Sequence, residues 1–198
     1  MERTTNPMIA LALLTLTDSR EAARRLRAIH IPRQVLWEGF ALVVIASVLL
    51  TELVGLALYA GGVNEVLRLG PWGAVALQGL FLFVMVHAIH GLGAAFGGTG
   101  GFDDSLKLIV WLQGLLVVFQ AVQVVVMLVM PGLSGILGLI ATGWFFWVLT
   151  SFIMVLHGFQ SRGKVFAGVL AAFVLFALVM SMILTGLGII EIVPGEMQ

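Results

Sequence analysis

Apolar residues run through this chain in blocks too long for the interior of a soluble domain, with only short polar punctuation between them. From Leu108 to Ser161 there is no Asp, Glu, Lys or Arg, and the run is interrupted only by Met130-Pro131-Gly132-Leu133-Ser134-Gly135. One helix needs about 20 apolar residues to cross the hydrocarbon core of a bilayer, so this stretch reads as two spans with a Pro-Gly reversal between them. The same length rule places five spans, at Val35 to Tyr59, Ala74 to Phe96, Leu108 to Met130, Leu133 to Leu156 and Val165 to Ile190. The pattern predicts an all-α membrane protein: a five-helix transmembrane bundle over residues 34–198, preceded by a cytoplasmic or interfacial region of amphipathic helices over residues 1–33.

That first region divides into two short helices. Asn6 before Pro7 is an N-cap and first-position pair, and Asp18 with Glu21 is a capping box for a second helix ending near Ile29, ahead of Pro32. On the second helix Ala22, Leu26 and Ile29 share one face and Arg20, Arg24 and Arg27 the opposite one. A helix lying flat above anionic lipid has this pattern, with those three arginines as membrane-surface contacts. A solvated face packed on the other cytoplasmic loops has it too. The apolar stretch from Met8 to Leu16 leads into arginines rather than a small-residue cleavage site, so it does not read as a cleavable signal peptide.

Composition agrees with a bilayer setting. Hydrophobic residues are 61% and charged residues 10% of the 198, against about 25% charged in ordinary soluble domains. With no Cys, disulfides, thiolate catalysis and Cys-ligated zinc are excluded. No basic run with interleaved aromatics suggests nucleic acid. Orientation follows from the cations. Arg3, Arg20, Arg24, Arg25, Arg27 and Arg33 precede the first span, Lys107 ends the second connection, Arg162 and Lys164 form the fourth, and Arg68 alone lies in the first. With the N-terminus cytoplasmic, nine of the ten cations are inside. The acidic tail with Glu191 and Glu196 then faces outward. Trp37, Tyr59, Trp72 and Trp111 fall near span ends, whereas Trp144 and Trp147 sit mid-span as packing residues.

Intramembrane polar residues are the remaining source of chemistry. By depth, Glu38, His87, His90 and Gln113 share the cytoplasmic third of the bilayer, with His157 at its inner edge, and Glu52, Gln78, Gln120 and Gln123 lie in the middle or outer half. The first four read as an intramembrane polar cluster joined by interhelical hydrogen bonds. His87 and His90 are one turn apart, so a metal site completed by Glu38 is a weaker alternative, as is a proton or solute path. No cofactor and no catalytic set are expected. Ser47, Thr51, Ser134, Thr142, Thr150, Ser151, Ser181 and Thr185 read as hydroxyls bonding helical carbonyls. The Gly97 to Gly101 loop lacks the Gly-Lys-Ser/Thr ending of a phosphate loop and reads as an inter-span turn. Small residues at spacing four, namely Gly93 with Gly97, Gly138 with Thr142, Ala167 with Ala171 and Gly168 with Ala172, are expected to be close-packing surfaces, within the bundle or in a homodimer.

Three stretches carry a family resemblance. Phe96-Gly97-Gly98-Thr99-Gly100-Gly101-Phe102-Asp103-Asp104-Ser105-Leu106-Lys107, leading into an apolar helix, resembles the Gly-rich loop before the third span of Yip-domain proteins. These are polytopic membrane proteins named for interacting with Ypt/Rab GTPases. Trp144 through His157-Gly158-Phe159-Gln160-Ser161-Arg162-Gly163-Lys164 is similar to the bacterial branch's pattern around the last two spans, and Leu14 to Ala22 resembles its N-terminal region. The resemblance implies five transmembrane helices and a cytoplasmic N-terminus. For eukaryotic members it also implies contact with prenylated Rab-type GTPases and roles in vesicle formation or membrane shaping. The residues before the first span lack those members' long polar segment and Asp-Leu-Tyr-Gly-Pro-like motif, and the third span has no proline where relatives often have one. For bacterial members the resemblance implies an integral inner-membrane protein and no activity.

Together these readings predict a non-enzymatic integral membrane protein of the Yip type in a bacterial inner membrane, N-terminus cytoplasmic and C-terminus outside. Its expected partners are a bilayer with anionic headgroups and either a protein or a second copy of the chain. It would organise the membrane or recruit that partner through its cytoplasmic face. Gly97, Gly98, Gly100, Gly101, Phe102, Asp103 and Asp104 form the candidate partner-facing loop. The alternative is a small transporter or channel subunit using Glu38, His87 and His90, although the chain shows neither an inverted repeat nor paired broken helices.

Overall fold

The computed structural model describes residues 6–58 and 70–186. They form seven helices: α1 (Pro7–Thr17), α2 (Ser19–Ala28), α3 (Arg33–Leu58), α4 (Pro71–Ala95), α5 (Phe102–Val129), α6 (Pro131–His157) and α7 (Arg162–Gly186). Helices α3 to α7 are each long and apolar enough to cross a membrane. Arg3, Tyr59, Arg68, the end of the fifth predicted span, and Glu191 and Glu196 lie outside the described residues.

Local chemistry sets the helix ends. The Asn6 side chain accepts from the Met8 N–H at 2.9 Å, ahead of Pro7. Asp18 accepts from the N–H groups of Arg20 and Glu21 at 3.1 and 3.0 Å, so the first half of the expected capping box forms. The second half does not. The Asp18 N–H already closes α1 by donating to Leu14 O at 2.7 Å, which leaves Glu21 to bond Arg24 and Arg25, both at 2.9 Å. Those two bonds hold the Glu21 carboxyl below its usual range, chiefly through Arg25 and then Arg24. Because the shift is downward, the cluster stands at neutral pH and is lost only as the pH falls through the lowered value. Helix α5 begins at Phe102, six residues before the charge-free run. Asp103 and Asp104 in its first turn complement the positive end of the helix dipole.

Helix α5 is the hub, packed against α3, α4 and α6, with α2 lying across α5 and α6. Close backbone approaches occur where the sequence supplies glycine: a Cβ on Gly39 of α3 would lie 3.1 Å from Val110 of α5, and one on Gly138 of α6 would lie 3.1 Å from Gln123 of α5. Burial concentrates at one end of the bundle. Leu106 and Leu112 of α5, Val148 and Phe152 of α6, Val86 of α4 and Ala22 of α2 all lie in this one core. Toward the other end Val118, Val125, Leu139 and Met182 present exposed apolar surface, the condition expected of helices whose solvent is lipid. Gly168 meets no neighbour within 4 Å of an added Cβ, so the Gly168–Ala172 pair is not a packing surface within the chain.

The N-terminal helices dock on protein. Ala22, Ala23 and Leu26 are buried against the bundle, while Ile29, expected on the same face, is exposed because it lies past the helix end. The Trp111 indole N–H donates to Thr15 Oγ at 3.2 Å, and Thr15 Oγ donates to Leu11 O at 2.8 Å. Lys107, nearly buried, spends its ammonium on α2's last turn, reaching Ile29 O at 2.8 Å and Arg27 O at 3.4 Å, with Asp104 at 3.4 Å. Hydrogen bonds to a charged group are worth about 1.5–3 kcal/mol. Replacing Lys107 by Met should therefore release α2: thermal stability in detergent falls by about 2 kcal/mol, and limited proteolysis cuts between residues 28 and 33 much faster than in wild type. Unchanged cleavage would mean that apolar contacts alone hold the segment.

Candidate functional site

The turn from Phe96 to Gly101 is built around a histidine from another helix. Helix α4 ends with Gly97 at φ +82°, and the Gly98 N–H returns to Gly93 O at 2.8 Å. Helix α6 ends the same way, with Gly158 at φ +73° and the Phe159 N–H on Met154 O at 3.0 Å. Both are glycine-dependent helix terminations that reverse the chain within two residues. Between them lies the His157 ring, 3% exposed. A Cβ on Gly93 would lie 2.1 Å from His157 Cε1, one on Gly98 2.4 Å from its Cβ, and one on Gly100 2.6 Å from Leu156 Cγ and 2.8 Å from His157 Cε1. No side chain larger than hydrogen fits at any of the three.

One peptide joins two histidines there. The Gly100 N–H donates to His157 Nδ1 at 3.2 Å, which puts that ring's proton on Nε2. The Gly100 carbonyl accepts from His90 Nδ1 at 3.2 Å. Helices α4 and α6 are thus pinned through the loop between α4 and α5. Phe102 turns inward beneath it, edge-on to His87 and His90 at 5.1 and 6.0 Å and tilted against Trp37 at 6.4 Å.

Ionic contacts continue from this loop to the N-terminal helices. Arg27 lies 3.8 Å from Asp104 and Arg33 3.5 Å from Asp103, in half-exposed pairs that fix position more than stability. Arg27 also reaches Val155 O at 3.5 Å, and the Arg20 guanidinium lies 3.8 Å from the Met154 sulfur. Arg162 folds back along α6, its guanidinium 3.6 Å from the centre of the Trp147 ring and 2.7 Å from Ser151 Oγ. Helix α2, the glycine loop and the α6–α7 turn therefore make one continuous polar cap, beside which the apolar helix α1 exposes Met8, Ile9, Leu13 and Leu16.

The predicted polar layer is distributed differently. Glu38 takes its bond from Gln34 on its own helix at 2.8 Å, His87 Nδ1 donates to Phe83 O at 2.9 Å, and His90 turns to Gly100. No hydrogen bond links any two of Glu38, His87, His90 and Gln113 among the described residues. Nor do three His, Asp or Glu side chains come together there as a metal site would need. Interhelical bonds form elsewhere: Gln120 Nε2 donates to Thr51 Oγ at 2.9 Å and Gln123 Nε2 to Ser134 O at 3.0 Å. The hydroxyls of Ser47, Thr51, Ser134, Thr142, Thr150 and Ser151 bond helical carbonyls, as the sequence predicts. Of the candidate partner-facing loop, Gly100 is buried and Phe102 half-buried, while Gly97, Gly101 and Asp103 are open to solvent.

His157 is the residue that sequence reasoning undervalues. Its signal is present, since glycines at 93, 98 and 100 match one large ring in space, but the ring lies more than fifty positions away. Gly93→Ala should cost about 1–3 kcal/mol, the usual penalty for overfilling a tight interior. A Gly93→Ala/His157→Ala double variant, measured by thermal melting in detergent, should lose less than the sum of the two single losses because the ring that clashes is gone. Additive losses would show that the two positions do not touch.

The Yip1 domain family's sequence model matches residues 13–183, from α1 to the last turns of α7. Comparisons with curated proteins and with solved structures gave no match. The match takes in all five apolar helices together with the glycine loop and the His157 turn, and the chain belongs to the Yip1 domain family of multi-pass membrane proteins.

Proposed function

We propose that this protein is a non-enzymatic scaffold of the membrane surface, which recruits a protein partner through the polar cap formed by α2, the glycine loop and the α6–α7 turn. One observation carries the reading. The best-packed part of the molecule lies directly beneath that cap, where Lys107, Arg27, Asp104 and His157 tie separate elements into one surface. A scaffold needs such a rigid presented face, and Arg24, Arg25 and Asp103 stand exposed upon it.

The cap faces the cytoplasm of a bacterial cell in this proposal, with the N-terminus inside the inner membrane and the C-terminus outside. The cation count supports that orientation. Arg20, Arg24 and Arg27 meet anionic headgroups at the cap's edge, where each cation near an anionic leaflet contributes about 1 kcal/mol.

Absence of native cysteine makes the orientation directly testable. Single cysteines at Asn64 and Ser161 should respond oppositely to an impermeant maleimide on intact cells, with position 64 labelled and position 161 protected. The reverse pattern would put the cap outside and end the proposal of a cytoplasmic partner. With a photocrosslinking residue at Arg24 or Asp103, the full chain in native membranes should give a discrete adduct with another protein. Solute flux through liposomes containing the purified chain, with no adduct in cells, would favour the transporter reading instead.

A further inference from the structure

Two cavities have the α6–α7 turn in their walls. The first, about 530 Å3, lies between α4, the end of α6 and α7. Its walls are apolar, with Met85 and Leu92 on one side and Val169 and Phe173 on the other, and Lys164 stands at its polar end. The second, about 560 Å3, opens on the other side of the same turn, where Arg20, Arg24 and Arg27 of α2 face Met154 and Val155 of α6. Phe159 and Gln160 line both. A molecule that filled the two would be apolar on one side of the turn and anionic on the other.

Depth and charge narrow the occupant. From Lys164 to Phe176 the α7 wall of the first cavity runs for twelve residues, which at about 1.5 Å per residue is roughly 18 Å. One leaflet of a hydrocarbon core about 30 Å thick is similar. Within the arginine cavity, Arg24 shares Glu21 with Arg25 and Arg27 is paired with Asp104. Arg20 has no carboxylate partner among the described residues, and Lys164 has none either. Positive charge is thus left over where headgroups lie. An acyl chain gains little by exchanging lipid for an apolar cleft, since both are equally dry. Selection must come from the charged end.

We propose that the two cavities together seat one anionic glycerophospholipid of the adjoining leaflet, an acyl chain lying between α4 and α7 and the phosphate on the arginine side of the Phe159–Gln160 turn. The inference rests on the reading that the Arg20, Arg24 and Arg27 face meets anionic headgroups, and it adds that one lipid has a bounded seat there. Gly168 is part of that seat: it lines the cleft, and a Cβ added to it would meet nothing within 4 Å. The open space along α7 is therefore the tail's.

Native mass spectrometry of the full, delipidated chain tests this with dioleoyl phosphatidylglycerol and dioleoyl phosphatidylcholine as probes. One phosphatidylglycerol should bind at a concentration at least ten-fold below that needed for phosphatidylcholine. Gly168→Trp, filling the cleft, should remove the single-lipid adduct, while Gly143→Trp, at a glycine equally open on α6, should leave it. Arg20→Gln with Arg24→Gln should keep the adduct and erase the ten-fold preference. A phosphatidylglycerol carrying a photoreactive group in its acyl chain should crosslink in the wild-type protein to α4 and α7 cleft residues, so the proposal stands or falls even if Gly168→Trp misfolds. Crosslinks spread over exposed faces such as Val118 and Val125, an adduct indifferent to Gly168→Trp, or equal binding of free glycerol phosphate would each overturn it. Failure to find a protein partner in cells leaves these outcomes untouched, so the two proposals fail separately.

Discussion

A histidine ring can lie against the end of α4 only because no Cβ stands between them. Gly93, Gly98 and Gly100 leave the space, the Gly100 peptide fills the ring's Nδ1, and α4 and α6 meet at a distance that any other residues would forbid. Much of the cap follows from that contact. With the loop fixed, Phe102 is driven inward onto Trp37 and the two histidines of α4, and Asp103 and Asp104 emerge where Arg33 and Arg27 can reach them. Lys107, three residues on, is then set beneath the last turn of α2. A steric allowance of one methyl group thus governs how the N-terminal helices dock.

The bundle solves opposite problems at its two ends. Near the cap, helix ends bring unpaired backbone groups and charges together, and glycine-terminated turns, a shared lysine and hydroxyls satisfy many of them, while the buried His157 Nε2 and Arg162 Nε have no partner among the described residues. Farther along, the helices share few polar ties, and Gln120 to Thr51 and Gln123 to Ser134 are two of them. Their backbone groups are internally bonded, their hydroxyls return to carbonyls one turn back, and their apolar side chains face lipid. Helix α7, with only Val169 buried among its described residues, packs along α6 and meets α4 where Phe173 and Phe176 lie edge-on to Phe81, which closes one end of the cleft between them.

The five spans were legible because length and apolarity suffice to identify a helix in a bilayer, and Asn6 and Asp18 marked two starts because their side chains cap locally. What periodicity leaves open is the partner of a face. The arrangement of Ala22 and Leu26 opposite Arg20 and Arg24 fits a lipid surface and a protein surface alike, and here Ala22 and Leu26 lie on protein. Depth has the same weakness: counting residues puts Glu38, His87, His90 and Gln113 at one level, yet Glu38 bonds Gln34 and His90 bonds Gly100. Small residues were ambiguous in another way. Gly93 and Gly138 mark close approaches, whereas Gly168, in the same spacing pattern, marks an absence of packing. The glycine loop drew attention as a turn, and its real determinant, His157, was visible only once distant segments were brought together.

Amide hydrogen exchange on the full chain in lipid nanodiscs reports whether the cap and the bundle end are one cooperative unit. Residues 19–28, 98–112 and 148–157 should be protected together, and a destabilising substitution at Gly93 should lower their protection in parallel. Free exchange of residues 19–28 in the wild type, while α5 and α6 stay protected, would contradict the account by showing that α2 is not part of the packed end.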